Sequence, residues 1–105
     1  MNLWFFEDNE VIRHHYKVKN FVYQGKSDFQ EVLIVDTHLN GRMLVLDGCV
    51  MVTEKDEFVY HEMITHIPVL SHKKVENVLV IGGGDGGTVR ELVKYNDIKN
   101  IELCE

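Results

Sequence analysis

The sequence has little of several features that define large classes of protein. Its 105 residues include one proline, one tryptophan and two cysteines, and no apolar run approaches the ~20 residues that span a bilayer. The N-terminus from Met1 to Trp4 has no basic segment followed by an apolar stretch, so no signal peptide is predicted. We therefore expect a cytoplasmic protein. Cys49 and Cys104 are predicted to be buried, reduced thiols, because their separation fits no disulfide or metal spacing.

The sequence also lacks an excess of basic charge. Its formal net charge is −6, which argues against nucleic acid as the main ligand because phosphate binding requires a basic surface. An acidic cleft concentrates cationic ligands, although many cytosolic proteins are mildly acidic and the charge alone does not identify a ligand. Apolar residues make up 45% of the chain, which is typical of a globular protein.

The first half of the chain carries the pattern of β-strands. Short apolar or alternating segments lie at residues 16–24, 29–36, 42–46 and 49–52. Asn40-Gly41 predicts a type I′ hairpin turn, in which both central residues need positive φ, and Asp47-Gly48 is a second turn signal. We predict an antiparallel β-meander over roughly residues 3–53.

The second half changes to a pattern of helices and parallel strands. Thr53 and Asp56 have the spacing of a capping box, and Pro68 is expected to lie at or just beyond the end of the helix that follows. The apolar residues of that helix are Phe58, Val59, Ile64 and Ile67. Residues 75–81 predict a buried parallel strand, and after a glycine cluster we predict a helix over 87–95 and a strand over 100–104. The chain is thus predicted to be α/β, with a small antiparallel β-domain over 1–54 and the start of a parallel sheet over 55–105.

The glycine cluster satisfies a known nucleotide-binding spacing. Gly82, Gly84 and Gly87 match G-x-G-x-x-G directly after a predicted strand and before a predicted helix. The first glycine permits a sharp turn, the second lets a ligand approach the backbone, and the third lets the helix pack against the strand. Glu105 lies 18 residues after Gly87, near the ~20 expected of an acid that binds ribose hydroxyls. Nucleotide or nucleoside binding is therefore predicted ahead of a purely structural turn.

Asp85 lies inside this turn and distinguishes between classes of nucleotide. Its carboxylate would repel a pyrophosphate and attract a cation, which favours an adenosyl sulfonium compound over NAD or FAD. The alternative interpretation is a turn-forming aspartate that makes a local backbone hydrogen bond.

Several motifs together resemble the spermidine synthase family of polyamine aminopropyltransferases. The segment from Ile81 to Gly87, followed by Arg90-Glu91, resembles the glycine signature of that family. Further segments match in order: Ser27-Asp28-Phe29-Gln30, Leu44 to Gly48, Thr53 to Phe58 with Tyr60 to Met63, and Leu103-Cys104-Glu105. The resemblance extends from about Trp4 to Glu105 and is to the N-terminal portion of the family.

The resemblance implies transfer of an aminopropyl group from decarboxylated S-adenosylmethionine, a co-substrate, to putrescine, giving spermidine and methylthioadenosine without a cofactor or metal. It also implies a homodimer or homotetramer and a Rossmann-like fold of the S-adenosylmethionine-dependent methyltransferase type. Glu105 would hold the donor's ribose, Asp85 its aminopropyl amine, and Tyr60 would help to position the acceptor. The full set of implied donor-binding residues is Gln30, His61, Gly82, Gly83, Gly84, Asp85 and Glu105.

The implied chemistry needs a base that these residues do not supply. An alkyl amine resembles lysine, with a pKa of about 10.4, so only about one molecule in a thousand is neutral at pH 7. A carboxylate must bind this amine, accept its proton and hold its nitrogen in line with the reacting carbon. In the family that base is an aspartate beyond the second parallel strand. We therefore expect the 105 residues to be one part of a larger protein or assembly and to have no turnover alone.

Other interpretations stay open at the level of sequence. An aminopropyltransferase with agmatine or a longer polyamine as acceptor, a putrescine N-methyltransferase, or a non-catalytic oligomerisation module would share these motifs. His61 and His66 are five residues apart, about 140° around a helix, so zinc binding is not predicted. Met51 is interpreted as core or pocket lining. Three aromatic residues are expected to dock on the β-domain or on another subunit: Trp4, Phe5 and Phe6.

Overall fold

The structure is a computed structural model that describes residues 2–105, and the chain divides into two compact units, Met1–Asp56 and Glu57–Glu105. The N-terminal unit consists of β1 (Leu3–Asp8), β2 (Arg13–Lys26), β3 (Glu31–Thr37), β4 (Gly41–Leu46) and β5 (Cys49–Thr53). The C-terminal unit consists of α1 (Glu57–Ser71), β6 (Asn77–Ile81), α2 (Gly87–Leu92) and β7 (Asn100–Cys104). Within residues 2–105, neither helix has the length and apolar character needed to cross a membrane.

The five N-terminal strands form one antiparallel sheet in which each strand pairs with its neighbour in the chain. The predicted β-meander is therefore confirmed. Strand β2 has 14 residues, and its register against β3 shifts between Val18 and Asn20 and again between Phe21 and Tyr23. Such bulges bend a long strand and increase its twist.

One face of this sheet carries the core of the N-terminal unit. Val18, Val35, Met43 and Val45 are buried there, because alternate residues of neighbouring strands point to the same face. The partly buried residues that pack against them are Phe5, Tyr16, Leu33 and Val50. The core is thus apolar and belongs to β1 through β5.

Some side chains predicted to be buried lie at the surface. Met51 is 47% exposed, so its interpretation as a core residue is wrong for this unit. The reason is strand alternation, since its neighbour Val50 packs on the core and Met51 points the other way. Cys49 and Cys104 are both exposed, which corrects the prediction of buried thiols.

The N-terminal aromatic residues divide between the two faces of the sheet. Phe5 packs against the core, whereas Trp4 and Phe6 are 48% and 53% exposed. The expectation of docking on the β-domain therefore holds for Phe5 alone, and docking of the other two on another subunit stays a prediction.

The type I′ geometry occurs at the second turn signal rather than the first. Asp47 and Gly48 have φ values of 49° and 78°, and they directly join the paired residues Leu46 and Cys49. Both central residues therefore meet the requirement of positive φ for a type I′ turn.

The prediction of a type I′ turn at Asn40-Gly41 is wrong. Three residues separate the paired residues Thr37 and Gly41, and of the turn residues only Gly41 has positive φ, at 70°. The hydroxyl of Thr37 explains the wider turn, because it donates to Gly41 O and accepts from Asn40 N, each at 2.9 Å.

Helix α1 begins and ends later than predicted. Thr53 is the last residue of β5, and its hydroxyl donates to Asp56 Oδ1 at 2.5 Å, so the pair forms no capping box and the helix begins at Glu57. Pro68 lies inside the helix, which continues to Ser71. A proline removes one intrahelical hydrogen bond. At the end of the helix, the Ser71 hydroxyl donates to Ile67 O at 2.6 Å.

The two C-terminal strands are parallel, and α2 lies between them in the chain, as predicted. Helix α2 ends at Leu92 rather than at Tyr95. The prediction that β6 is fully buried is wrong for the residues described, since Val80 is buried but Leu79 and Ile81 are 59% and 82% exposed. A parallel sheet needs helices on both of its faces, and residues 57–105 provide too few elements for this.

The apolar surface predicted for α1 is also exposed in the described part of the chain. Phe58, Val59, Ile64 and Ile67 are each about half exposed, and the buried residues of the helix are His61 and Thr65. The buried face of α1 within its unit is therefore polar, and it carries a residue of the predicted donor site.

Candidate functional site

The turn after β6 is formed by glycines with a left-handed backbone. Gly82, Gly83 and Gly86 have φ values of 76°, 71° and 82°, a region that residues with a Cβ rarely adopt. Gly86 is the N-cap of α2, and its N–H donates to Gly83 O at 3.0 Å. The sharp turn predicted at Gly82 is observed, and two glycines outside the G-x-G-x-x-G positions are needed for the same reason.

Gly84 and Gly87 are needed because neighbouring side chains leave no room for a Cβ at either position. A Cβ at Gly84 would lie 2.8 Å from the carboxyl carbon of Glu105, and a Cβ at Gly87 would overlap the ring of His61. The sequence predicted that Gly87 allows packing of α2 against a strand. The structure corrects this explanation, because the group that occupies the space is the His61 side chain of α1.

Glu105 follows β7 and faces the glycine turn. Its Oε2 accepts a hydrogen bond from Gly84 N at 2.8 Å. The backbone of the same segment is attached to the turn, since Gly82 N donates to Cys104 O at 2.8 Å. A carboxylate has lone pairs for several donors, so Glu105 can also accept hydrogen bonds from the hydroxyls of a ligand.

Asp85 makes the contact expected from one of the two interpretations of its position, that of a turn-forming aspartate. Its Oδ1 accepts a hydrogen bond from Gly87 N at 2.8 Å, which is the local backbone bond of a turn-forming aspartate. The same oxygen lies 3.2 Å from His61 Nε2. Within residues 2–105 no hydrogen bond involves Oδ2 of Asp85, and its side chain is 26% exposed. Binding of a cationic ligand by this second oxygen stays a prediction.

His61 is 3% exposed and lies between two carboxylates. Its Nδ1 contacts Glu57 Oε2 one turn earlier in α1, and its Nε2 faces Asp85. The neighbouring ring of Tyr60 meets the His61 ring edge to face at a centroid distance of 5.3 Å, and Tyr60 is 60% exposed. The structure thus brings His61 and Asp85 together and places the Tyr60 ring against that of His61, while the roles of all three toward a ligand stay predictions.

The sequence analysis assigned no function to Glu57, although this residue joins the site to α2. Glu57 accepts two hydrogen bonds from Arg90, from Nη1 to Oε1 at 2.8 Å and from Nη2 to Oε2 at 3.0 Å. Arg90 and then His61 lower the pKa of Glu57, so it is ionised at neutral pH. The spacing of Glu57 and His61 (i, i+4) is a signal that could have identified the pair.

Arg90 in turn contacts a buried carboxylate of its own helix. Glu91 is 1% exposed, and its Oε2 accepts from Arg90 Nε at 3.0 Å. Its Oε1 accepts from Lys94 Nζ at 2.6 Å and lies 3.2 Å from His66 Nε2. Lys94 and then Arg90 lower the pKa of Glu91 to about 2 against the opposing effect of burial. A buried charge is tolerated here because it is paired and hydrogen-bonded.

Gln30 lies in the N-terminal unit, in the loop between β2 and β3. Ser27 closes this loop, since Ser27 N donates to Gln30 O at 2.9 Å and Gln30 N donates to Ser27 Oγ at 3.0 Å. These contacts explain the serine of the Ser27-Asp28-Phe29-Gln30 motif, because its hydroxyl accepts from the backbone of residue 30, but they do not involve the glutamine side chain. The contact of the Gln30 side chain with a donor stays a prediction.

The two histidines of α1 have different partners. Nδ1 of His66 is 2.6 Å from the hydroxyl of Tyr95, whereas His61 is held by Glu57 and faces Asp85. Within residues 2–105, no group of three or more His, Cys, Asp or Glu side chains has the arrangement of a metal site.

Comparison with known families finds a matching family model for each half of the chain. The family model described as a spermidine synthase tetramerisation domain matches residues 3–54, and the one described as a spermine/spermidine synthase domain matches residues 57–105. The chain belongs to the spermine/spermidine synthase family. The family predicted from the glycine signature and the other motifs together is therefore confirmed.

Similar members of the family are known from several bacteria. The polyamine aminopropyltransferase of Alkaliphilus oremlandii is 52% identical over 106 residues, which cover 100% of this chain and 37% of that protein. The polyamine aminopropyltransferase of Clostridium kluyveri is also 52% identical, with 38% of that protein covered. The chain thus spans little more than a third of the length of these relatives.

Solved structures of the family match the fold closely. The spermidine synthase from Thermotoga maritima has a TM-score of 0.95 and 43% identity, over 98% of this chain and 37% of that one. A spermidine synthase in complex with the transition-state analogue AdoDATO has the same TM-score and identity, with 36% of its chain covered. The predicted α/β class, with an antiparallel N-terminal sheet and the start of a Rossmann-like parallel sheet, is confirmed.

Proposed function

We propose that the protein is a spermidine synthase that transfers an aminopropyl group from decarboxylated S-adenosylmethionine to putrescine and releases methylthioadenosine. The observation that carries the proposal is the pair of carboxylates on one glycine turn. Asp85 and Glu105 are held there by the backbone N–H groups of Gly87 and Gly84. Membership of the family and the likeness to a spermidine synthase bound to AdoDATO support the proposal.

The two carboxylates would bind different parts of the donor. Glu105 is proposed to accept hydrogen bonds from the ribose hydroxyls, and Asp85 to bind the cationic aminopropyl amine through Oδ2. An opposite charge within a few ångströms stabilises a bound cation, whereas the pyrophosphate of NAD or FAD would be repelled by Asp85. Gly82, Gly83 and Gly84 are proposed to let the donor approach the backbone closely.

Further residues are proposed to complete the binding site. Gln30 and His61 are proposed as donor contacts, and the exposed Tyr60 as part of the acceptor site. The sulfonium is already a good leaving group, so no metal or cofactor is proposed. None of the 105 residues is assigned as the base that deprotonates the acceptor, and these residues are not expected to turn over substrate by themselves.

The N-terminal unit is proposed to mediate self-association as a homodimer or homotetramer. The match of residues 3–54 to a tetramerisation domain and the exposure of Trp4 and Phe6 support this part of the proposal.

Calorimetric titration of the purified protein with decarboxylated S-adenosylmethionine tests the donor site. Asp85→Asn keeps an oxygen for Gly87 N but removes the charge. We expect it to weaken donor binding by about tenfold or more, because a hydrogen bond to a charged group contributes roughly 1.5–3 kcal/mol. Asp97→Asn is the control, since Asp97 is an exposed aspartate outside the glycine turn.

Turnover assays test the substrates. Release of methylthioadenosine that depends on putrescine would support a spermidine synthase. Dependence on agmatine or a longer polyamine would replace the proposed acceptor. Donor binding without turnover is the expected result for residues 1–105 alone, and the same result for a protein that also supplies the base would favour a non-catalytic module. A wild-type protein that does not bind the donor would contradict the proposal altogether.

A further inference from the structure

A series of ion pairs lies behind the proposed donor site, entirely within the C-terminal unit. Asp85 faces His61, His61 contacts Glu57, and Glu57 accepts from both terminal nitrogens of Arg90. We propose that Glu57 and Arg90 are positioning residues, which hold His61 and Asp85 in the arrangement that binds the aminopropyl end of the donor. The inference rests on the function proposed above and adds two residues to the site.

The first step concerns the ring of His61, which is enclosed by two carboxylates. A neutral imidazole has one N–H, and only a doubly protonated ring can donate toward both Glu57 and Asp85. Whichever nitrogen carries the proton, the contact of Nδ1 with Glu57 places one edge of the ring against α1 and the other edge toward Asp85. Glu57 therefore fixes the orientation of the ring and determines that Nε2 is the nitrogen that faces Asp85.

The second step concerns Arg90, which fixes the carboxylate of Glu57. The planar guanidinium donates two parallel hydrogen bonds to Glu57, a geometry that specifies orientation as well as distance. Its Nε is anchored by the buried Glu91, which is held in turn by Lys94. The side-chain conformation of Glu57 in α1 is thus determined by residues of α2.

The third step concerns the space around the ring. Gly87 is buried against His61, so that no side chain would fit at that position. The N–H of the same residue donates to Asp85. A displaced ring would therefore press on the peptide unit that holds Asp85, and the position of the donor-binding carboxylate depends on that of His61.

The test uses two ligands that differ in the group Asp85 is proposed to bind. Decarboxylated S-adenosylmethionine carries the aminopropyl amine, and methylthioadenosine lacks it. We expect Glu57→Gln and Arg90→Met in the purified protein to weaken binding of the first ligand by about tenfold. Binding of methylthioadenosine should change by less than about twofold, since Glu105 and the glycine turn are untouched. Isothermal titration calorimetry measures both affinities.

Glu76→Gln is the matched control. Glu76 also pairs with two cations of the C-terminal unit, Lys74 at 3.2 Å and Lys99 at 2.7 Å, and has no contact with His61 or Asp85. Glu76→Gln removes the charge of these ion pairs, so it should change the melting temperature but not the affinity for either ligand. The melting temperatures of all variants show how far each ion pair stabilises the fold.

Three results would overturn the positioning role. Glu57→Gln and Arg90→Met could leave binding of decarboxylated S-adenosylmethionine unchanged. The two variants could weaken binding of both ligands equally. Alternatively, Glu76→Gln could weaken binding of decarboxylated S-adenosylmethionine as much as they do. Either result would indicate that Glu57 and Arg90 form a purely structural ion pair. These results differ from failure of the proposed function, in which the wild-type protein itself binds neither ligand and both proposals are overturned.

Discussion

Among single residues, Glu91 shows how this protein keeps a charge in its interior. Its side chain is 1% exposed, yet Lys94, Arg90 and His66 all reach its oxygens. These partners more than offset the effect of burial, and they lower the pKa of Glu91 to about 2 from its ordinary value near 4.5. Because unfolding would return the carboxyl to its ordinary pKa, the folded protein binds fewer protons here than the unfolded one between these values.

The pH dependence of stability follows from this shift. A depressed pKa contributes stability that is fully present above pH 4.5 and is lost as the pH falls toward about 2. We expect Glu91→Gln to be less stable than the wild type at pH 7. Between pH 4.5 and about pH 2, the variant should lose less of its stability than the wild type does. Urea unfolding at a series of pH values measures the difference.

A matched variant separates this effect from general acid unfolding. Glu62 is an exposed residue of α1 that forms no ion pair within residues 2–105. Glu62→Gln should therefore follow the wild-type curve. Parallel curves for the wild type and Glu91→Gln would contradict the role given to Glu91.

The sequence analysis named two carboxylates that the structure places at the glycine turn, and it did not name the ion pair behind them for a physical reason. Asp85 and Glu105 could be found because a glycine turn and the acid after the next strand occupy fixed positions in a β-turn-α-β unit. Glu57 and Arg90 are 33 residues apart, and their pairing depends on how two helices pack. No periodicity within either helix specifies that contact, so it required the structure.

At the level of elements, the hairpin of β4 and β5 depends on two residues with positive φ. Asp47 is one of them, and its side chain stabilises the turn because its Oδ1 accepts a hydrogen bond from Glu31 N at 2.8 Å. Gly48 has φ 78°, and a Cβ built there would meet nothing within 4 Å. A substitution at this position therefore changes backbone energy without a steric collision.

Gly48→Ala is expected to destabilise the protein by about 1 kcal/mol, because a residue with a Cβ is strained at positive φ. Gly48→Asn should destabilise it less, since asparagine tolerates the left-handed region better than alanine. Chemical denaturation of both variants gives the two free energies of unfolding. An asparagine variant less stable than the alanine variant would show that backbone conformation is not the cause.

The boundaries of elements were harder to predict than their type. Strand β7 occurs at the predicted residues, and all five N-terminal strands lie within the predicted meander. The start of α1 was wrong because backbone hydrogen bonds from Glu54 and Lys55 to Arg42 and Asn40 keep residues 54–56 in a turn beside the sheet. Such contacts between distant segments compete with local capping signals and are not visible in a local pattern.

For the molecule as a whole, the exposed aromatic side chains of the N-terminal unit are the feature to explain. Trp4 and Phe6 alternate along β1 and lie on the face away from the core. Further exposed aromatic residues of the same unit are Phe21, Tyr23 and Phe29. Apolar surface of this kind marks protein interfaces, and no pattern in the sequence alone identifies what covers it.

The self-association proposed for the N-terminal unit should depend on these aromatic residues. We expect Trp4→Ser with Phe6→Ser to weaken oligomer formation by more than about tenfold, because burial of one large apolar side chain contributes roughly 1.5–3 kcal/mol. Light scattering over a range of protein concentrations measures the association. Leu39→Ser is the control, since Leu39 is 73% exposed in the turn between β3 and β4. An unchanged association in the double variant would place the interface elsewhere.

The close contact between Gly87 and the His61 ring also limits how this sequence can change over time. Any side chain at position 87 would collide with the imidazole, so the two positions cannot vary independently. A lineage could gain a methyl group at position 87 only after residue 61 had become smaller, and the reverse order would pass through a damaged protein. The order in which substitutions accumulate is therefore constrained by one interatomic contact.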